Sequence, residues 1–193
     1  MTLLICGFGP FPGQPDNPAG LTVRRLRDEA WAPPGGPVAY ALLPTEWAKA
    51  PEAVLAALKS HDARAVLLVG VASRAQAFRV ETIAKNLAST IHPDAAGALW
   101  PSTPIDADGP DEHPVIAPVE AMRAAIAAEG LAVGLSDDAG DYLCNFTLYR
   151  VIAQAGGRPV AFLHVPPVGE AFTLDDIATA VRAAAGAYVG ALD

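Results

Sequence analysis

The sequence is poor in charge. Only 18% of its 193 residues are Asp, Glu, Lys or Arg, and 13 basic residues face 21 acidic ones for a formal net charge of −8. That balance offers no electrostatic footprint for a phosphate backbone and excludes nucleic acid as an expected partner. Cysteine is scarce too: Cys6 and Cys144 can form one bridge at most, so a disulfide framework and a four-thiolate zinc site are both excluded. Long apolar runs are missing. Leu3 to Cys6 is too short for a signal-peptide core and has no basic segment before it, and no later run reaches bilayer-spanning length. A reduced, cytoplasmic protein without a membrane partner is the expectation. What the sequence does have is apolar residues, 52% of the total, which excludes disorder and supplies a sizeable core for a single domain over 1–193.

Strand-length apolar runs alternate with helical patterns. Strands are expected at Thr2–Cys6, Val38–Leu43, Ala65–Val71, Leu131–Leu135 and Pro159–Val165, and an extended stretch at Gln76–Asn86 with Phe78 and Val80 on one side. Helices are expected at Ala19–Ala30, Glu46–Ser60, Val115–Glu129, Asp141–Ala155 and Thr173–Leu192, the last capped by Thr173 with Asp175 and Asp176 in its first turn. Between them Ser89–Pro118, rich in Pro, Asp and Gly, shows no period and reads as a long surface excursion. This order implies an α/β fold, a mostly parallel twisted sheet covered by helices on both faces in the manner of phosphorylase/hydrolase-like proteins.

Cys144 follows a Gly140 turn at the start of a helix, where amide donors and the helix dipole favour a thiolate nucleophile; as a small apolar side chain it would equally suit a core. Cys6, inside an apolar strand, reads as core alone. His164 stands at the carboxyl end of Val160–Val165, where ligand crevices of parallel sheets open, and could serve Cys144 as a general base. His61 and His113 look solvated, while His92 in the excursion could line a site. Glu81 could orient a histidine, or sit on a surface paired with Arg79 or Lys85; the residues leave both open. Gly7-Phe8-Gly9-Pro10-Phe11 misses the dinucleotide glycine spacing, and Asp106 to His113 fits no EF-hand, so neither cofactor nor metal is expected.

Taken in order, Gly7-Phe8-Gly9-Pro10-Phe11, Asn17-Pro18, Leu43-Pro44-Thr45, Val69-Gly70, Glu81 with Asn86, Pro93-Asp94, Ala139-Gly140, Cys144-Asn145, Tyr149 and Phe162-Leu163-His164-Val165-Pro166 resemble the pyroglutamyl peptidase I family, the pyrrolidone carboxyl peptidases. The resemblance implies a cysteine peptidase with a triad at Cys144, His164 and Glu81 acting on a peptide or small amide. It also implies a slot for the lactam ring at Phe8 and Phe11, joined by Thr45, Val71, Tyr142 and Leu143, and a homo-oligomer, dimer or tetramer. Two departures bear on specificity. The glutamine usual after Val-Gly is Val71, leaving Arg74 to stand for a displaced arginine, and the arginine usual before the Ile-Pro-Asp is Ile91. The alternative is a catalytically silent module binding pyroglutamate or a small amide. The apolar surplus in the Pro- and Ala-rich stretches is read as subunit contact surface.

Overall fold

The computed structural model describes residues 1–192. In chain order the elements are β1 (Leu3–Phe8), α1 (Pro18–Asp28), β2 (Val38–Leu43), α2 (Lys49–Ser60), β3 (Ala65–Val71), β4 (Phe78–Glu81), β5 (Ile83–Lys85), β6 (Glu112–Pro114), α3 (Val119–Ala128), β7 (Val133–Ser136), α4 (Leu143–Gln154), β8 (Val160–Val165) and α5 (Leu174–Gly190). A six-stranded sheet has the order β2-β1-β3-β8-β4-β7. The first four of these strands run parallel; β4 pairs antiparallel with β8 and parallel with β7, so β4 and β7 run against the rest.

Strand periodicity splits the core between the two faces. On β1, Leu3 and Ile5 join a cluster containing Val23, Ile126 and Tyr188, while Leu4 and Cys6 join another containing Val54, Phe146 and Val151. The first cluster is closed by α1, α3 and α5, the second by α2 and α4. Both faces of β1, β3 and β8 are buried, which is why these runs read as continuously apolar. Asn17 caps α1 with Pro18 in the first turn, and Thr173 with Asp176 forms a capping box on α5.

Several boundaries move for long-range reasons. The second helix begins at Lys49 rather than Glu46, because the Trp47 N–H donates to Asp94 Oδ2 at 3.1 Å. The third begins at Val119 rather than Val115: the Val115 N–H donates to Thr82, and Pro118 takes the cap position. The fourth begins at Leu143, since Tyr142 is extended. Within the excursion, β6 pairs with β5. His113 on β6 is half-buried with its ring centroid 4.5 Å from that of Tyr149, which corrects the solvated reading. The Ala-rich α5 is core, not contact surface: Ala178, Ala180, Ala184 and Ala185 are buried within the chain. Among the described residues no helix is long and apolar enough to cross a membrane.

Close packing of α1 on the sheet depends on Gly7. A Cβ there would lie 2.6 Å from the Ala19 carbonyl oxygen and 2.7 Å from Val23 Cγ2. Overpacking against backbone typically costs 1–3 kcal/mol, and Gly7→Ala is expected to destabilise by about 2 kcal/mol. A urea midpoint equal to the parent's would contradict this packing account.

Candidate active site

The chemistry-bearing residues converge where β8, β4 and α4 meet. On β8, Val160 and Phe162 face the α2/α4 side of the sheet, and alternation sends His164 to the same side. On β4, Phe78 and Val80 enter the opposite cluster, which turns Arg79 and Glu81 toward His164. The antiparallel register sets Arg79 opposite His164 and Val80 opposite Leu163. Glu81 is fully buried, and His164 Nδ1 is 2.7 Å from Glu81 Oε1. The carboxylate is thus paired with a buried imidazole and not with a surface cation; Lys85 lies 3.7 Å from Asp138. Glu81 Oε2 is buried and makes no hydrogen bond among the described residues.

Cys144 approaches from the other side. Gly140, at φ +82°, turns the chain into α4, and Cys144 follows as its second residue. No side chain caps this helix, so the amides of its first turn stay available to an anion. The thiol rests over Gly70, the register partner of His164 on β3: a Cβ at Gly70 would lie 2.8 Å from Cys144 Sγ and 2.7 Å from Phe162 Cζ. Cys144 stands close enough to His164 to act on its ring, beside the hydrogen bond with Glu81. Because Glu81 occupies Nδ1, the ring presents Nε2 to the sulfur. Burial by itself would lower the pKa of His164; the negative charge and hydrogen bond of Cys144, then those of Glu81, outweigh it and raise it to about 9. Cys6 is the contrast, its thiol pushed far upward by burial and chemically quiet.

Beside Cys144 lies a small slot. Phe8 and Phe11 come from β1 and the following turn, Thr45 from the end of β2, Val71 from the end of β3, and Tyr142 with Leu143 from the start of α4. All six expected residues therefore share one lining with Cys144. Asn17, quoted in the sequence only as part of a motif, joins them; its Nδ2 and the Thr45 hydroxyl both donate to the Gly9 carbonyl and hold the Gly9-Pro10-Phe11 turn. A wider cleft of about 630 Å³ adjoins the slot at Cys144, lined also by His164, Arg74 and Arg79. His92 lines neither the slot nor the cleft; it lies against the outer side of Tyr142, with its ring near Ser89 Oγ. Ile91 is 76% exposed.

Two asparagines and an aspartate anchor the surroundings. Asn145 is fully buried and clamps α4 to β5, accepting from the Lys85 N–H and donating to the Lys85 and Leu87 carbonyls. Asn86 holds the Asp106 backbone. Asp94 accepts from Trp47, Ala96 and Ala98, and the Tyr142 hydroxyl donates to Pro93, so the excursion is strapped to the slot wall.

A family model described as pyroglutamyl peptidase matches residues 1–189. The chain belongs to the pyroglutamyl peptidase family. Among its relatives within the family, the pyrrolidone-carboxylate peptidase of Deinococcus radiodurans is 35% identical over 86% of this chain and 78% of that protein. That of Clavibacter michiganensis is 31% identical over 94% and 90%. The crystal structure of pyroglutamyl peptidase I from Bacillus amyloliquefaciens superposes with a TM-score of 0.90 at 26% identity, covering 97% of this chain and 94% of that one. The pyroglutamyl peptidase fold thus extends over nearly the whole chain.

Among the described residues the buried Glu81 carboxylate has His164 as its single hydrogen-bond partner, so removing the ring strands a charge. His164→Ala is expected to cost about 3 kcal/mol at neutral pH, part of which Glu81→Gln restores on the same background. Thermal or urea unfolding of the four proteins measures this; an unchanged stability in His164→Ala would show that the pair carries no such load.

Proposed function

We propose that residues 1–193 act as one catalytic unit, a cysteine exopeptidase that removes an N-terminal pyroglutamyl residue from peptides. The observation that carries this reading is the single imidazole of His164, held by Glu81 on one nitrogen and facing Cys144 with the other, at the mouth of an apolar slot. In this reading the lactam ring enters between Phe8, Phe11 and Tyr142, placing the acyl carbon against Cys144 Sγ. The thiolate attacks that carbon, the carbonyl oxygen becomes an oxyanion facing the free amides at the start of α4, and a thioester forms as the C–N bond breaks. His164, as imidazolium, gives its proton to the departing amine; it then takes a proton from the water that hydrolyses the thioester. Glu81 keeps the ring oriented and stabilises its charged form. With Val71 in place of a polar side chain, the slot selects chiefly by shape, which leaves room for a specificity shifted from that of the relatives.

The test is hydrolysis of a pyroglutamyl coumarylamide under reducing conditions. Cys144→Ala is expected to lower kcat by about three orders of magnitude or more. Since His164 must be protonated to release the amine and its pKa is raised to about 9, kcat/KM should fall as pH rises through that value. Removing the Glu81 charge removes one of the contributions raising it, so Glu81→Gln should move this alkaline limb to lower pH. No cleavage by the parent protein would sink the reading.

Free cysteines fit a reducing compartment, and we place the protein in the cytoplasm. We also propose self-association as a dimer or tetramer through the excursion and its edge, where Ile91, Leu99 and Ile116 are 76%, 54% and 62% exposed. Sedimentation at micromolar concentration should give a multiple of the 19.9 kDa chain, shifted toward monomer by Ile91→Asp with Leu99→Asp. A monomeric parent would refute it.

A further inference from the structure

We propose that Arg79, with Arg74 at the rim, forms a carboxylate-binding subsite for the leaving peptide, so that substrates carrying a carboxylate just beyond the scissile bond are favoured. The inference rests on the peptidase reading above and adds a preference on the leaving side. His164 must reach the departing nitrogen, so the residue that leaves lies on the His164 side of Cys144, in the cleft rather than the slot. Arg79 is half-buried there, opposite His164 in register and on the same face of β4 as Glu81.

Arg79 and Arg74 have no ion pair and no side-chain hydrogen bond among the described residues; Arg24 and Arg150 share that property, but only Arg79 and Arg74 line the cleft with His164. A guanidinium held half out of water without an anion has given up hydration for nothing in return, and a planar fork of donors fits a carboxylate best. Two carboxylates share the cleft wall. Asp138 accepts from the Gly140 N–H and faces Lys85 at 3.7 Å, and among the described residues neither it nor Asp141 lies within ion-pair distance of Arg79 or Arg74.

The carboxylate could be the α-carboxylate of a dipeptide or an acidic side chain, and two substrate pairs separate the sources: pyroglutamyl-alanine against its amide, and pyroglutamyl-glutamate amide against the glutamine amide. In at least one pair the charged member should have a kcat/KM about tenfold higher at low salt, the ratio shrinking as salt rises. Arg79→Gln should bring that ratio close to one. Equal rates within both pairs, a ratio that survives in Arg79→Gln, or a preference for lysine amide would each overturn the proposal. Should the parent cleave neither these nor the coumarylamide, the peptidase reading fails separately. Calorimetric binding of the same pairs to Cys144→Ala then decides the subsite: tighter binding of the charged member supports it, and equal or absent binding overturns it.

Discussion

The hydrogen bond between His164 and Glu81 is the constraint around which the rest of the site is arranged. It joins side chains 83 positions apart in sequence and fixes which ring nitrogen is left for the sulfur. For the carboxylate to be buried there, β4 must lie beside β8, and for its side chain to face the ring, β4 must pair in one register only. A slip by one residue would put Val80 against His164 and turn Glu81 into the opposite cluster. The apolar core on the α1/α3/α5 face, which favours that register through Phe78 and Val80, is therefore also what keeps the charge pair assembled.

Cys144 is located by a different kind of constraint, space rather than charge. Gly140 turns the chain, Asn145 bolts the first turn of α4 to β5, and Gly70 leaves the hollow in which the sulfur lies. Each of the three acts on a different element, so the thiol position is over-determined. The aromatic slot inherits this rigidity, since Tyr142 and Leu143 are the residues immediately before Cys144 and the Tyr142 hydroxyl is tied to Pro93.

How much of this could be read in the sequence depends on the range of the forces involved. Cys144 and His164 were legible because their positions, just after a Gly turn and at the carboxyl end of an apolar strand, are local signals. Glu81 was not, because the text around it suits an exposed strand equally well and its partner lies on a strand far away in sequence. Resemblance to a family supplied that residue and the slot. Arg79 carried no signal, as its facing is decided by the register of β4 on β8. The shifted helix starts and the half-buried His113 escaped for the same reason: acceptors such as Asp94 and Thr82, and the Tyr149 ring, come from distant segments. The Ala-rich final helix was misread as contact surface because composition alone does not tell a helix packed within its own chain from one packed against another.

The reversed direction of β4 also sets the electrostatic layout of the crevice. Because β4 runs against β8, moving along it from Arg79 to Glu81 moves away from the carboxyl end of β8 and into the sheet. The cation is thus stationed toward the entrance, level with His164, and the anion at the foundation. A parallel strand carrying the same four residues would invert that polarity, setting the carboxylate toward solvent and driving the guanidinium into the apolar interior. Strand direction, a property of topology, here decides which sign of charge an incoming molecule meets first.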